Sequence, residues 1–346
     1  MNTHEFYMNR CIQLAKNGLG QTYPNPLVGS VIVHQGKIIG EGWHRKAGEP
    51  HAEVHAVASV KDKSLLKEAT IYVSLEPCSH YGKTPPCCNL IIENEIPQVV
   101  IGTIDPFSEV AGKGIKRLEE AGKKVIVGVL ESECKELNRR FFTFHTQKRP
   151  YIILKWAESK DGFIAPLQKD KKEPVWLTNV YSRQLVHKWR TEEQAILVGT
   201  NTVLEDNPTL NARDWKGKNP IRIILDKNNS IDDTYFVKNQ KQPTIILTAG
   251  KKKDNSENCI YENCIFDSDT LYEVLKKLYD YNIQSVIIEG GARTLSSFIN
   301  KDLWDEARVF IGNSYLINGI KSPDFLFQSK TQSLIEKDQL KIYRNI

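Results

Sequence analysis

Residues 75–87 read Leu75-Glu76-Pro77-Cys78-Ser79-His80-Tyr81-Gly82-Lys83-Thr84-Pro85-Pro86-Cys87, and His51-Ala52-Glu53 stands upstream of them. A catalytic zinc takes three protein ligands and keeps a fourth position open for water. One imidazole and two thiolates meet that count, so His51, Cys78 and a second cysteine form a candidate metal site. Cys87 and Cys88 are adjacent, and spacing alone allows either as the third ligand. The flanking residues supply the local fold. Val54, Val57 and Ala58 follow His51 at helical spacing, residues 70–75 form a short β-branched strand, and residues 87–95 read as a helix stopped by Pro97. His51 therefore opens one helix and Cys87 another, and a helix amino terminus favours a metal-binding thiolate.

Outward from this core, residues 5–17 read as a helix closed by Gly18, and residues 27–42 as a hairpin turning at Gly36. Strands are expected at 98–104 and 124–130, with helices at 113–121 and 132–144. Such alternation implies a sheet covered by helices. The cluster Gln147-Lys148-Arg149-Pro150 marks a boundary, giving domains 1–147 and 148–346. A chain of 346 residues is long enough for two. The second half alternates again, with strands expected at 151–155, 195–198, 221–225, 244–248, 285–288 and 308–311. Helices are expected there at 180–190, 270–281 and 292–298. Residues 168–173 and 251–258 read as surface loops, and the segment after Lys330 yields no element.

The apolar share of 40% and charged share of 26% are those of a globular protein. A net charge of +5 is small for this length. It fits phosphorylated small substrates and does not call for nucleic acid. No apolar run approaches the roughly 18 residues of a membrane span. The polar stretch from Met1 to Arg10 lacks the apolar core of a secretion signal. Seven cysteines, with Cys78, Cys87 and Cys88 clustered, fit metal binding in a reducing cytoplasm better than disulfides.

His-x-Glu followed by Pro-Cys and a second Cys is the pattern of zinc deaminases. The metal would supply an activated water at neutral pH. Glu53 would move its proton to the ring nitrogen and then to the departing ammonia. The chain departs from the general pattern in one respect: eight residues rather than two separate Cys78 from Cys87. A non-enzymatic zinc scaffold would need a fourth ligand, for which Cys88 and His80 are the local candidates. In the second half no Gly-x-Gly-x-x-Gly follows a strand, so the Rossmann fingerprint is missing. Gly290-Gly291 stands between an expected strand and helix, where backbone amides can approach a phosphate.

The runs Pro24-Asn25-Pro26-Leu27-Val28-Gly29, His51-Ala52-Glu53 and residues 75–87 resemble the bifunctional riboflavin-biosynthesis deaminase/reductase family, whose own pattern has the wide cysteine gap. The resemblance continues through Leu154-Lys155, Ser159-Lys160-Asp161-Gly162, residues 199–210 and Ile288-Glu289-Gly290-Gly291. It implies an α/β protein: a cytidine-deaminase-like α/β/α domain, then a dihydrofolate-reductase-like α/β domain. It also implies one zinc ion per chain and NADPH as cofactors.

The resemblance selects Cys87 as the third zinc ligand. It places Asn25 and His44 in the deaminase pocket and Lys83 near the substrate phosphate. In the reductase half it puts Ala157, Trp176, Thr178, Thr202 and Asp206 at the nucleotide, joined by Gly291, Ala292, Arg293 and Thr294. Arg190, Leu210, Arg213 and Glu289 fall at substrate positions. Lys155, Asp206 and Glu289 would handle protons around the hydride transfer. Around Lys155, the residues Trp156, Glu158 and Lys160 depart from the expected smaller or apolar types. The expected protein is a cytoplasmic homo-oligomer acting on a phosphorylated pyrimidine, with neither nucleic acid nor membrane as partner.

Overall fold

The computed structural model describes residues 3–79, 85–107, 111–169, 171–251 and 253–345. The chain divides into two compact units, Met1–Lys148 and Arg149–Ile346. Lys148 belongs to the first unit because it caps the last helix there in a left-handed conformation, φ 56°.

The first unit runs α1 (Thr3–Ala15), β1 (Gly29–His34), β2 (Lys37–Trp43), α2 (Ala52–Ser59), β3 (Thr70–Val73) and α3 (Cys87–Glu93). It continues with β4 (Gln98–Ile101), α4 (Lys113–Glu120), β5 (Lys124–Val127), α5 (Glu131–Leu137) and α6 (Arg139–Gln147). The sheet order is β2-β1-β3-β4-β5. β1 is antiparallel to both neighbours, while β3, β4 and β5 are parallel. On one face, Ala56 and Val57 of α2, Ile91 of α3 and Leu118 of α4 pack on Ile32, Ile71, Val99 and Ile101. On the other, Met8, Cys11 and Ile12 of α1 and Leu137 of α5 pack on Val31, Tyr72 and Val100. These layers make the expected α/β/α arrangement.

Glycines at 40 and 42 let α2 lie directly on β2. A Cβ at Gly42 would sit 2.4 Å from the Ala52 carbonyl oxygen, and one at Gly40 2.6 Å from that of Ala56. Backbone cannot yield at such distances, so this close approach sets where α2 begins.

The single helix expected over 132–144 is two, α5 and α6, broken at Asn138. Its buried side chain donates to the Leu27 carbonyl and accepts from the Leu27 N–H, both at 2.8 Å. This long-range pair draws the chain out of helical continuity.

The second unit runs β6 (Tyr151–Glu158), β7 (Phe163–Ala165), α7 (Val180–Glu192), β8 (Ala195–Gly199), α8 (Thr200–Asp206), β9 (Ile221–Leu225), β10 (Thr244–Thr248) and β11 (Cys259–Asn263). Then come α9 (Thr270–Asp280), β12 (Ser285–Glu289), α10 (Ala292–Asn300), β13 (Glu306–Ile311), β14 (Ile320–Lys321), β15 (Thr331–Ile335) and β16 (Asp338–Arg344). A nine-stranded sheet has the order β11-β10-β9-β8-β12-β6-β13-β16-β15. Strands β11 through β13 in that order are parallel, and β16 and β15 close the edge as an antiparallel hairpin. Helices cover both faces: α9 and α10 pack on one, and Val186 and Trp189 of α7 on the other.

The tail after Lys330, unread in the sequence, is that hairpin. Its buried Asp338 accepts from the Ser182 hydroxyl at 2.6 Å and the Asn179 N–H at 2.8 Å, anchoring the start of α7. Asp206 is the last residue of α8. Among the described residues no helix is long and apolar enough to cross a membrane.

Candidate active sites

In the first unit the ligand atoms of His51, Cys78 and Cys87 lie within 4.8 Å of one another. His51 caps α2 and Cys87 opens α3, so two helix starts converge on the loop leaving β3. His51 presents Nδ1 to the sulfurs, at 3.6 Å from Cys78 and 3.3 Å from Cys87. The Cys87 N–H donates to the Cys78 sulfur at 3.3 Å. The Cys87 thiol, then His51 and this backbone donor, hold Cys78 well below an ordinary thiol against the effect of burial. The Cys87 thiol is pushed up in turn by the Cys78 sulfur and by burial.

A nitrogen and two sulfurs converging in a nearly dry site suit zinc. Cys88 turns away and donates to the carbonyls of Pro77 at 3.3 Å and Gly114 at 3.5 Å. Burial pushes its thiol up to about 12. Geometry therefore agrees with Cys87 over Cys88, and among the described residues the cluster has no fourth protein donor. His80 and Lys83 lie outside the described residues.

Glu53 is 3% exposed, and burial raises its carboxyl pKa, as suits a group that takes and returns a proton. Asn25 and His44 join the same site. Their side chains are 3.1 Å apart, and the His44 ring lies 5.4 Å from that of His51.

One residue here has no role in the sequence reading. Buried Glu76 accepts from the N–H groups of Gly112 at 3.0 Å and Gly114 at 2.8 Å, fastening the Cys78 loop to the start of α4. Its signal was a charged residue immediately before Pro-Cys.

In the second unit, β6 and β12 are parallel neighbours with Lys155 and Glu289 in register. Their charged ends are 3.6 Å apart. Arg190 of α7 grips the same carboxylate with two nitrogens, at 3.1 and 2.7 Å. Burial opposes ionisation of Glu289, but Arg190 and Lys155 outweigh it and hold the carboxyl at about 2. Burial pushes the Lys155 ammonium down, and Glu289 only partly restores it.

At the carboxyl ends of the adjacent strands β8 and β12, the Gly291 N–H donates to the Thr202 hydroxyl at 3.0 Å. A Cβ at Gly199 would lie 2.9 Å from the Thr294 hydroxyl. The structure therefore brings Thr202, Gly291 and Thr294 together, with Ala292 and Arg293 in the first turn of α10. Ala157 lies two residues beyond Lys155 on β6. Asp206 is ion-paired with Lys169. Trp176 is exposed and stacked under Arg183, whose guanidinium also donates to the Thr178 carbonyl at 3.0 Å. Leu210 is buried at φ 53°, and Arg213 is half exposed.

Two of the departures beside Lys155 satisfy one another, and the third finds a partner elsewhere. Trp156 is a core residue whose indole N–H donates to Glu158 at 2.8 Å, and Lys160 lies over the Tyr315 ring.

Comparison with known proteins agrees with both halves. Residues 1–103 match the cytidine and deoxycytidylate deaminase zinc-binding region, and residues 150–323 match the RibD C-terminal domain. The riboflavin biosynthesis protein RibD of Aquifex aeolicus is 43% identical over 95% of this chain and 92% of its own length. That of Bacillus amyloliquefaciens is 42% identical over 95% and 90%. A crystal structure from Thermotoga maritima, described as a diaminohydroxyphosphoribosylaminopyrimidine deaminase/5-amino-6-(5-phosphoribosylamino)uracil reductase, superposes with a TM-score of 0.88. It is 36% identical, covering 99% of both chains. A zinc-binding deaminase fold and a reductase fold, matched in order over nearly the whole length, place this chain in the RibD family of bifunctional riboflavin-biosynthesis enzymes.

Proposed function

We propose that the first unit hydrolytically deaminates 2,5-diamino-6-(5-phosphoribosylamino)pyrimidin-4(3H)-one. The second unit then reduces the ribosyl group to ribityl with NADPH, giving 5-amino-6-(5-phosphoribitylamino)uracil. The observation that carries this reading is the convergence of His51, Cys78 and Cys87 beside the buried Glu53 carboxyl.

When bound, zinc supplies an activated water at neutral pH. His51, Cys78 and Cys87 hold the ion. Glu53 accepts a proton and passes it to the ring nitrogen and the departing ammonia. Asn25 and His44 orient the pyrimidine edge, and Lys83 meets the phosphate.

In the reductase, Thr202, Gly291, Ala292, Arg293 and Thr294 form the phosphate-binding turn for NADPH. Ala157, Trp176, Thr178 and Asp206 contact the rest of the cofactor. Arg190, Leu210 and Arg213 hold the substrate, the two guanidiniums facing its phosphate. Lys155 and Glu289 serve the ribosyl carbon as it accepts hydride, with Asp206 as the third group handling protons.

The same reading includes a homo-oligomer and a cytoplasmic enzyme, the latter in keeping with seven cysteines outside any disulfide. The test supplies the diaminopyrimidine to zinc-loaded protein, measures ammonia, then adds NADPH and follows nicotinamide absorbance. Ammonia release before any NADPH oxidation is expected. Oxidation without prior deamination, or neither signal, overturns the assignment. Sedimentation tests the oligomer, and cell fractionation the compartment.

A further inference from the structure

Glu76 stands two residues before Cys78, is 4% exposed and has no part in the chemistry above. Its two oxygens take four backbone N–H groups. Oε1 accepts from Gly114 at 2.8 Å and Ile115 at 3.3 Å, and Oε2 from Gly112 at 3.0 Å and Asp105 at 3.3 Å. Three of these donors belong to the start of α4, where N–H groups have no partner within the helix. The residues after Glu76 lie against the same helix. A Cβ at Gly114 would sit 2.1 Å from the Pro77 carbonyl oxygen. Arg117 Nη1 donates to the Ser79 carbonyl at 3.2 Å. Cys78 is thus the middle of a strip, residues 76–79, tied to α4 at both ends. From the other side its carbonyl accepts from the Cys88 N–H of α3 at 3.2 Å.

We propose that Glu76 is a positioning residue for the metal, with Arg117 as its second tie: by fastening residues 76–79 to α4, the two set the Cys78 sulfur against His51 and Cys87. This rests on the reading of His51, Cys78 and Cys87 as the zinc ligands. The task requires a carboxylate. Each of its oxygens faces two N–H donors, and an ionised carboxylate accepts at both oxygens. A glutamine of the same shape would turn its own N–H groups toward one pair of donors and leave that pair buried without an acceptor. The negative charge also suits the positive end of α4. Groups that hold a metal ligand from behind govern affinity through the ligand's orientation, although they never touch the ion.

The test titrates zinc into the metal-free full chain in competition with a chromophoric chelator. In Glu76→Gln the Kd for zinc should rise about tenfold to a hundredfold, the cost of losing an outer partner of a metal ligand. Co2+ bound in place of zinc reports the sulfurs directly, and its thiolate charge-transfer band should shift or weaken in the variant. NADPH oxidation of supplied intermediate should stay within about twofold on the same preparation, because Glu76 belongs to the other unit. A lower melting temperature with the zinc Kd and the Co2+ spectrum unchanged would make Glu76 a residue of the fold alone and overturn the proposal. Arg117→Met, at a partly exposed position, removes only the Ser79 tie and should raise the zinc Kd about threefold. If Glu76→Gln does not fold, this variant decides, and an unchanged Kd in it overturns the proposal. Cys78→Ser separates the two readings. If it leaves the zinc Kd unchanged, the ligand assignment itself fails; if it weakens zinc while Glu76→Gln does not, only the role of Glu76 fails.

Discussion

The side-chain amide of Asn25 lies 3.1 Å from Nε2 of His44, whose other nitrogen is 3.2 Å from the carbonyl of Pro50. A carbonyl only accepts, so Nδ1 carries the ring proton and Nε2 accepts from Asn25. The amide is thereby oriented, with its oxygen left for a donor on the pyrimidine edge. Asn25→Asp removes the donor to His44. Deaminase kcat/KM should fall about tenfold to a hundredfold, the range for a hydrogen bond to a charged or buried partner. NADPH oxidation of supplied intermediate should not change. Ammonia release and nicotinamide absorbance on one preparation check both halves.

Glu53→Gln keeps the shape of the side chain and removes its basicity. The donor set His51, Cys78 and Cys87 is untouched, so zinc content should remain one per chain by elemental analysis. Ammonia release should drop by about a hundredfold or more, the usual contribution of a positioned acid–base group. Retained deamination would take Glu53 out of the reaction.

The adjacent cysteines should behave in opposite ways. Cys88→Ser keeps a donor toward the carbonyls of Pro77 and Gly114, so zinc should stay bound, with about 1–2 kcal/mol of stability lost to a buried hydroxyl. Cys87→Ser should lose zinc to a chelator far more readily, because a hydroxyl is a poor substitute for thiolate. Competition with a chromophoric chelator measures both, and retention in the second variant with loss in the first would reverse the assignment.

Glu289→Gln leaves Arg190 and Lys155 facing each other without the carboxylate between them. Breaking a buried ion pair in this way costs about 3 kcal/mol or more. The pH dependence has a defined sign. The folded-state pKa is about 2, below the unfolded value of a glutamate. The carboxylate therefore adds stability above pH of about 4, and that contribution fades as pH falls through about 2. Thermal melts of the full chain should show the wild type losing its advantage over the variant across that window. A constant difference between the two would mean that Glu289 is not the charged centre of this cluster.

Residues with short-range signals are legible in the sequence alone. The helix starts at His51 and Cys87, the strand leading to Cys78 and the glycine pair after β12 each rest on patterns a few residues long. The elements that escaped are those fixed at long range. Asn138 breaks a helical pattern because it pairs with Leu27, far away in the chain. The β15–β16 hairpin is polar along its exposed edge, so its alternation is faint, yet Asp338 within it holds the start of the helix bearing Arg190, accepting from the Asn179 N–H and the Ser182 hydroxyl.

The chain by itself determined which donor atoms were available: one imidazole, two thiolates and a carboxyl in the first half, and Lys155, Arg190 and Glu289 in the second. Residue types and their spacing carry that information, because local structure and chemical identity are properties of neighbouring residues. Beyond what the family resemblance implied, tertiary structure showed how these groups are arranged. Cys87 faces the metal site and Cys88 does not, since one full residue of helix rotation turns a side chain about 100° from its neighbour. Glu289 is held ionised in a dry place because two cations from different elements converge on it. Such convergence depends on distances between segments remote in sequence, and those distances exist only once both sheets have formed.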